Sequence, residues 1–139
     1  MSKNLAYSRS QLTWLVILRV LIGWYFLYEG LTKIMATNWS SYAYLRDSKG
    51  IFAPFFTMLT DYPLVMDVVN AINMYGLTAI GLCLILGCFV KYANIGAIAL
   101  LTLYYLSHPP LIDVHYLIRP EGSYMWVDKN LIMLCAIVV

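Results

Sequence analysis

Apolar residues fall into four blocks along the chain, separated by polar or proline-bearing stretches. A helix crosses the roughly 30 Å hydrocarbon core of a bilayer with about 20 apolar residues. Residues 12–35 and 71–90 meet that length. Beyond Lys91, residues 92–107 form a shorter third block. Pro109 and Pro110 stop it, because proline lacks an amide donor and restricts the residue before it. The fourth block, 126–139, ends in "LIMLCAIVV". Fourteen helical residues rise only about 21 Å, and bare terminal carbonyls are costly in lipid. A further C-terminal segment is therefore expected in the natural chain. The pattern predicts an all-α fold, an integral membrane four-helix bundle forming one domain over residues 1–139.

Two longer connections separate these blocks, over residues 36–70 and 108–125. The first contains "GIFAPFFTML", too apolar for a hydrophilic loop, so an interfacial or re-entrant segment is expected there. In a hairpin bundle both connections share one membrane side, and the termini and Lys91 share the other. Lys3, Arg9 and Lys91 place that second side in the cytoplasm by the positive-inside rule, although Arg46, Lys49 and Arg119 fall opposite. Trp39, Tyr42, Tyr44, Tyr62, Tyr124 and Trp126 suit an aromatic belt at the membrane surface.

Composition strengthens the membrane reading. The chain is 62% hydrophobic and 12% charged, against about 25% charged in soluble domains. Too little charge is present to cover a soluble surface, so the bilayer is the expected solvent. The net charge of +2, without runs of like charge, gives no footprint for nucleic acid. Polar residues 1–11 and the long first block argue against a cleaved signal peptide. Cys83, Cys88 and Cys135 sit in apolar runs and read as buried small residues. Cys83 and Cys88, five apart, are separated by about 140° on a helix and are not expected to pair.

Three ionisable residues interrupt the first block: Arg19, Glu29 and Lys33. Glu29 and Lys33 are spaced to pair on one helix face. Gly23 and Gly30, lying on the same broad face, allow close helix approach. Arg19 either joins that face or snorkels to the cytoplasmic interface. A carboxylate has a short stem and cannot snorkel as far, which makes Glu29 a site candidate, with Lys33 beside it. A structural pair is the plain alternative. Asp67, Asn70 and Asn73 open the second block, His108 closes the third, and Asp128, Lys129 and Asn130 open the fourth. The expected topology brings all of them to one membrane end. Helix-start preference and interhelical hydrogen bonding explain these residues equally well taken singly. His108 and His115 lie outside the blocks, so no histidine pair can hold a haem, and no cysteine cluster suits iron–sulfur or another metal.

"RVLIGWYFLYEGLTKI", residues 19–34, with "GLTAIGLCLILG", 76–87, and "VDKNLIMLCAIVV", 127–139, resembles the DoxX/DoxD family of small four-helix membrane proteins. The resemblance implies a bacterial inner-membrane subunit of an oxidoreductase complex that interacts with quinone and works with a redox partner subunit. In that setting Glu29, Lys33 and His108 are candidate catalytic groups, handling protons or hydrogen-bonding a quinone carbonyl. Trp24, Tyr28, Asn70 and Asn73 are candidate binding groups, with Trp24 or Tyr28 stacking on the ring. The alternative is a non-enzymatic subunit that assembles or anchors a membrane or periplasmic partner. A transporter needs a polar path through the bundle, and residues 79–89 and 95–103 offer only Thr102. Homo-oligomerisation stays open.

Overall fold

The computed structural model describes residues 7–109, 127 and 129–138. All elements assigned among them are helices. The first, α1, runs Arg9–Met35 and starts at a capping box, in which Ser8 and Gln11 each bind the other's backbone amide with a side chain. The first connection folds into two short helices, α2 at Tyr42–Arg46 and α3 at Ala53–Leu59. Next comes α4, Pro63–Ala71, with proline in its first turn where no amide is needed. It passes through a wide π-helical turn, Ile72–Gly76, directly into α5, Leu77–Leu86. The long helix thus begins at Pro63 rather than residue 71. It stops at Gly87, whose φ of +72° suits a residue without a Cβ. A three-residue turn leads into α6, Val90–Ser107, and α7 covers Lys129–Val138.

Two of these helices are long and apolar enough to cross a membrane: α1, with 27 residues, and the continuous α4–α5, with 24. They pack against each other through glycines. A Cβ on Gly81 would meet the Leu27 backbone and lie 2.7 Å from the Gly23 carbonyl, and one on Gly30 would lie 2.6 Å from the Thr78 amide nitrogen. Close approach of the two backbones therefore requires glycine. Helix α6 packs on α5, and α7 packs on α6 and touches α1.

The main core joins Ile22 and Phe26 of α1, Leu77 and Leu84 of α5, and Ala93, Ala97, Leu100 and Leu101 of α6. A second cluster, Leu45, Phe56 and Met66, ties α2 and α3 to α4, with Leu106 of α6 beside it. The outer faces remain apolar: Leu21, Trp24, Tyr28, Leu82, Leu86 and Ile95 are all exposed. So much exposed apolar surface fits a lipid-facing wall, not a soluble one. The three cysteines are free, as expected, but Cys88 and Cys135 are exposed rather than buried. They sit on outward faces, where an apolar run gives no hint of direction.

Candidate functional site

The short helices and the facing parts of α1, α6 and α7 enclose a cavity of about 580 Å³. Tyr25, Glu29 and Lys33 reach it from α1 at successive intervals of four, which is one helical stripe. Lys33 Nζ lies 3.4 Å from Glu29 Oε2, and the lysine side chain is only 17% exposed. Its ammonium also stands 5.3 Å from the Trp39 ring centre and 5.8 Å from that of Tyr104. Lys129 of α7 lies 5.3 Å over Tyr25. Aromatic faces carry partial negative charge and attract both ammonium groups. Two lysines can thus line a largely apolar space containing one glutamate.

Asn73 enters the cavity from the wide turn. Its amide nitrogen donates to the Val69 carbonyl at 2.9 Å, and its oxygen accepts from the Tyr104 hydroxyl of α6. Every polar atom of this buried amide therefore has work within the protein fold except one amide hydrogen. The π turn changes the local helical phase, and Asn73 lines the cavity whereas Asn70 does not. Asn70 instead accepts from the amide and hydroxyl of Ser41, at 2.9 and 2.7 Å, fastening the first connection to α4.

His108, 2% exposed, closes α6 at the cavity wall. Its ring stacks on Tyr44, 3.9 Å between centroids. Nδ1 lies 3.0 Å from the Ser107 hydroxyl, and Nε2 lies 4.0 Å from Asp47 Oδ2. Ser48 donates to the Ser107 carbonyl at 2.6 Å, holding the segment in place. Burial pushes the imidazole down to about 4; the Asp47 carboxylate opposes that fall and Lys49 adds to it. At neutral pH the ring is uncharged, with one nitrogen able to donate and the other to accept. Such a ring can hand a proton between a buried carboxylate and the cavity.

Of the sequence candidates, Glu29, Lys33, Asn73 and His108 line this one space, together with Lys129 and Asn130. Trp24 and Tyr28 do not: they are 61% and 60% exposed. Trp24 lies about 140° and Tyr28 about 100° from Glu29 around the helix, so both face outward. Tyr25, four residues before Glu29, occupies the position expected of them. That spacing was available in the sequence. Trp39 and Tyr44, expected in an interfacial belt, line the cavity instead, while Tyr42 and Tyr62 are exposed. Nothing in the sequence singled out Tyr104, Ser107 or Asp47. Asp67 is exposed. His115, Asp128, Tyr124 and Trp126 lie outside the described residues. Among the described residues, no group of three His, Cys, Asp or Glu side chains could hold a metal ion.

The DoxX family model matches residues 14–108, from the second turn of α1 to the cavity histidine. The chain belongs to the DoxX family. DoxX proteins are generally membrane proteins, and with its two long apolar helices this member is one too. The matched segment contains every cavity residue named above except those of α7. Neither a curated protein nor a solved structure matches this DoxX chain.

Proposed function

We propose that this DoxX protein is a four-helix, multi-pass protein of the bacterial inner membrane that binds quinone in the large cavity, as the membrane subunit of an oxidoreductase complex. One observation carries the reading: apolar walls and a compact set of hydrogen-bonding groups share a single space of about 580 Å³. A quinone needs that combination, a flat apolar slot for the ring and tail and donors for two carbonyl oxygens. The residues fit. Trp39 and Tyr44 offer ring faces, and Phe55, Leu59, Val69 and Leu103 offer apolar wall.

Bound quinone would supply the electron-accepting chemistry, with electrons delivered by a partner subunit. Lys33, a charged donor held by Glu29 and Trp39, would hydrogen-bond one carbonyl. Glu29 would hold a proton at the carboxylate beside it, and His108 would connect the cavity to Asp47. A cytoplasmic N-terminus, with Arg9, Arg19 and Lys91 on the inner side, would put the cavity on the outer side of the membrane.

The test is extraction of endogenous quinone from gently purified protein, read by mass spectrometry. Wild type should carry quinone near one per chain. Lys33→Met and Glu29→Gln should lower it several-fold, while outward-facing Trp24→Phe and Tyr28→Phe should leave it unchanged. Quinone-free wild type that is stably folded would rule the reading out and favour the anchoring role. For that role the exposed apolar side chains Ile51, Phe52, Phe55 and Met58 of the first connection would be the contact surface.

A further inference from the structure

A second, smaller cavity of about 220 Å³ lies at the other end of the molecule, between α1, α6 and α7. Arg19 and Asn94 are its polar lining side chains among the described residues; Leu12, Leu15, Val16 and Ile137 belong to its apolar wall. We infer that this recess binds the phosphate of an anionic membrane phospholipid, held by the Arg19 guanidinium. This is independent of the quinone reading.

Arg19 is the argument. Its guanidinium turns toward the α5–α6 turn, where a Cβ on Gly87 would lie 3.3 Å from one terminal nitrogen and 3.7 Å from the other. Its Nε is buried without a hydrogen-bond partner, and among the described residues Arg19 makes no ion pair. The described carboxylates, Glu29, Asp47, Asp61 and Asp67, all sit toward the opposite end of the long helices. A partly buried cation in a membrane protein, with one guanidinium nitrogen fully enclosed, needs an anion or a set of acceptors. Here the described protein supplies neither, while the recess leaves room beside it.

The chemistry of the recess selects the ligand. A guanidinium presents paired donors that match phosphate oxygens. Asn94 of α6, lining the same recess, adds an amide donor. Lys91, three residues earlier on the same helix, brings a second positive charge to that face. Leu12 and Val16 are exposed at the rim, so the recess opens along an apolar surface. A soluble anion gains nothing from an apolar surround, whereas the acyl chains of a phospholipid held at Arg19 run toward the membrane centre along apolar outer walls such as exposed Ile95 of α6. Position agrees, since Arg19 reaches the level of the α5–α6 turn, where lipid headgroups meet the protein.

The experiment is native mass spectrometry of the full-length protein in detergent, supplied with equal phosphatidylglycerol and phosphatidylcholine. Wild type should retain one phosphatidylglycerol at several-fold higher occupancy than phosphatidylcholine. Arg19→Gln should abolish that preference, and Arg9→Gln, on the exposed first turn, should keep it. Equal retention of both lipids by wild type overturns the inference, as does an undiminished preference in Arg19→Gln. Displacement of the lipid by millimolar inorganic phosphate would also overturn it, showing a site for free anion. Should Arg19→Gln not fold, Asn94→Trp, which puts a bulky ring into the recess beside an intact arginine, decides. A full phosphatidylglycerol preference in that variant would place the lipid elsewhere.

Discussion

Between α6 and the wide turn, the Tyr104 hydroxyl and the Asn73 amide complete each other. Tyr104→Phe leaves the amide oxygen without its donor, and an unsatisfied buried polar group costs roughly 1–3 kcal/mol. The melting midpoint in detergent should fall accordingly. The double variant Tyr104→Phe with Asn73→Leu should recover only part of the loss, because the Tyr104 pairing is then removed on both sides while the Val69 carbonyl loses its Asn73 donor. His108 makes a second prediction. Its folded-state imidazole titrates near 4 and the unfolded one near 6.5, so the unfolded chain binds the extra proton first. Stability from this group is complete above about 6.5 and declines as pH falls toward about 4. His108→Gln should flatten that part of the stability–pH curve relative to wild type. At this scale the sequence was partly legible. Glu29 and Lys33 stood out because an ionisable group in an apolar run demands explanation. Tyr25 and Tyr104 did not, since a phenol on a membrane helix faces lipid, headgroup or protein with equal ease. Only packing decides which.

Helix–helix contact depends on where Cβ atoms are missing. Gly81→Ala would drive a methyl group into the Leu27 backbone, which cannot rotate away, and overpacking of this sort costs roughly 1–3 kcal/mol. Gly76→Ala should be harmless, because its Cβ would meet only the Ile72 side chain at 3.6 Å. Thermal midpoints of the two variants check the contrast, and equal losses would refute the close approach of α1 and α5. The long apolar helices and the glycine face of α1 were readable from residue pattern. The start of α4 was not. Tyr62 and Pro63 open a helix whose first turns carry Asp67 and Asn70, and polarity there resembled a loop. Nor could the wide turn be foreseen, since "INMYG" holds no proline and a lone glycine is tolerated within a helix. Within it, Asn73 bonds both Val69 and Tyr104.

Taken whole, the molecule is polarised along its helices: a cavity with mixed charge at one end, an arginine recess at the other, and apolar outer walls between. The proposed orientation, with the recess on the cytoplasmic side, can be measured. In a background of Cys83→Ser and Cys135→Ser, the exposed Cys88 of the α5–α6 turn should resist a membrane-impermeant thiol reagent in intact cells and react after permeabilisation. Labelling in intact cells would reverse the orientation. The asymmetry also assigns different tasks to the two halves of the continuous α4–α5 helix. Its C-terminal half grips α1, and its N-terminal half carries Met66 and Asn70, which pin the roof of the cavity. The π turn acts as a phase insert between them. Were residues 72–76 to close into a regular α-ladder with no residue removed, the turn's extra residue would rotate one half against the other by about 100°. The grip on α1 would survive, but Met66 and Asn70 would point away from the partners they now hold. One residue's worth of backbone therefore keeps the roof in register with the floor, and loss of any single side chain there should be milder than loss of that register.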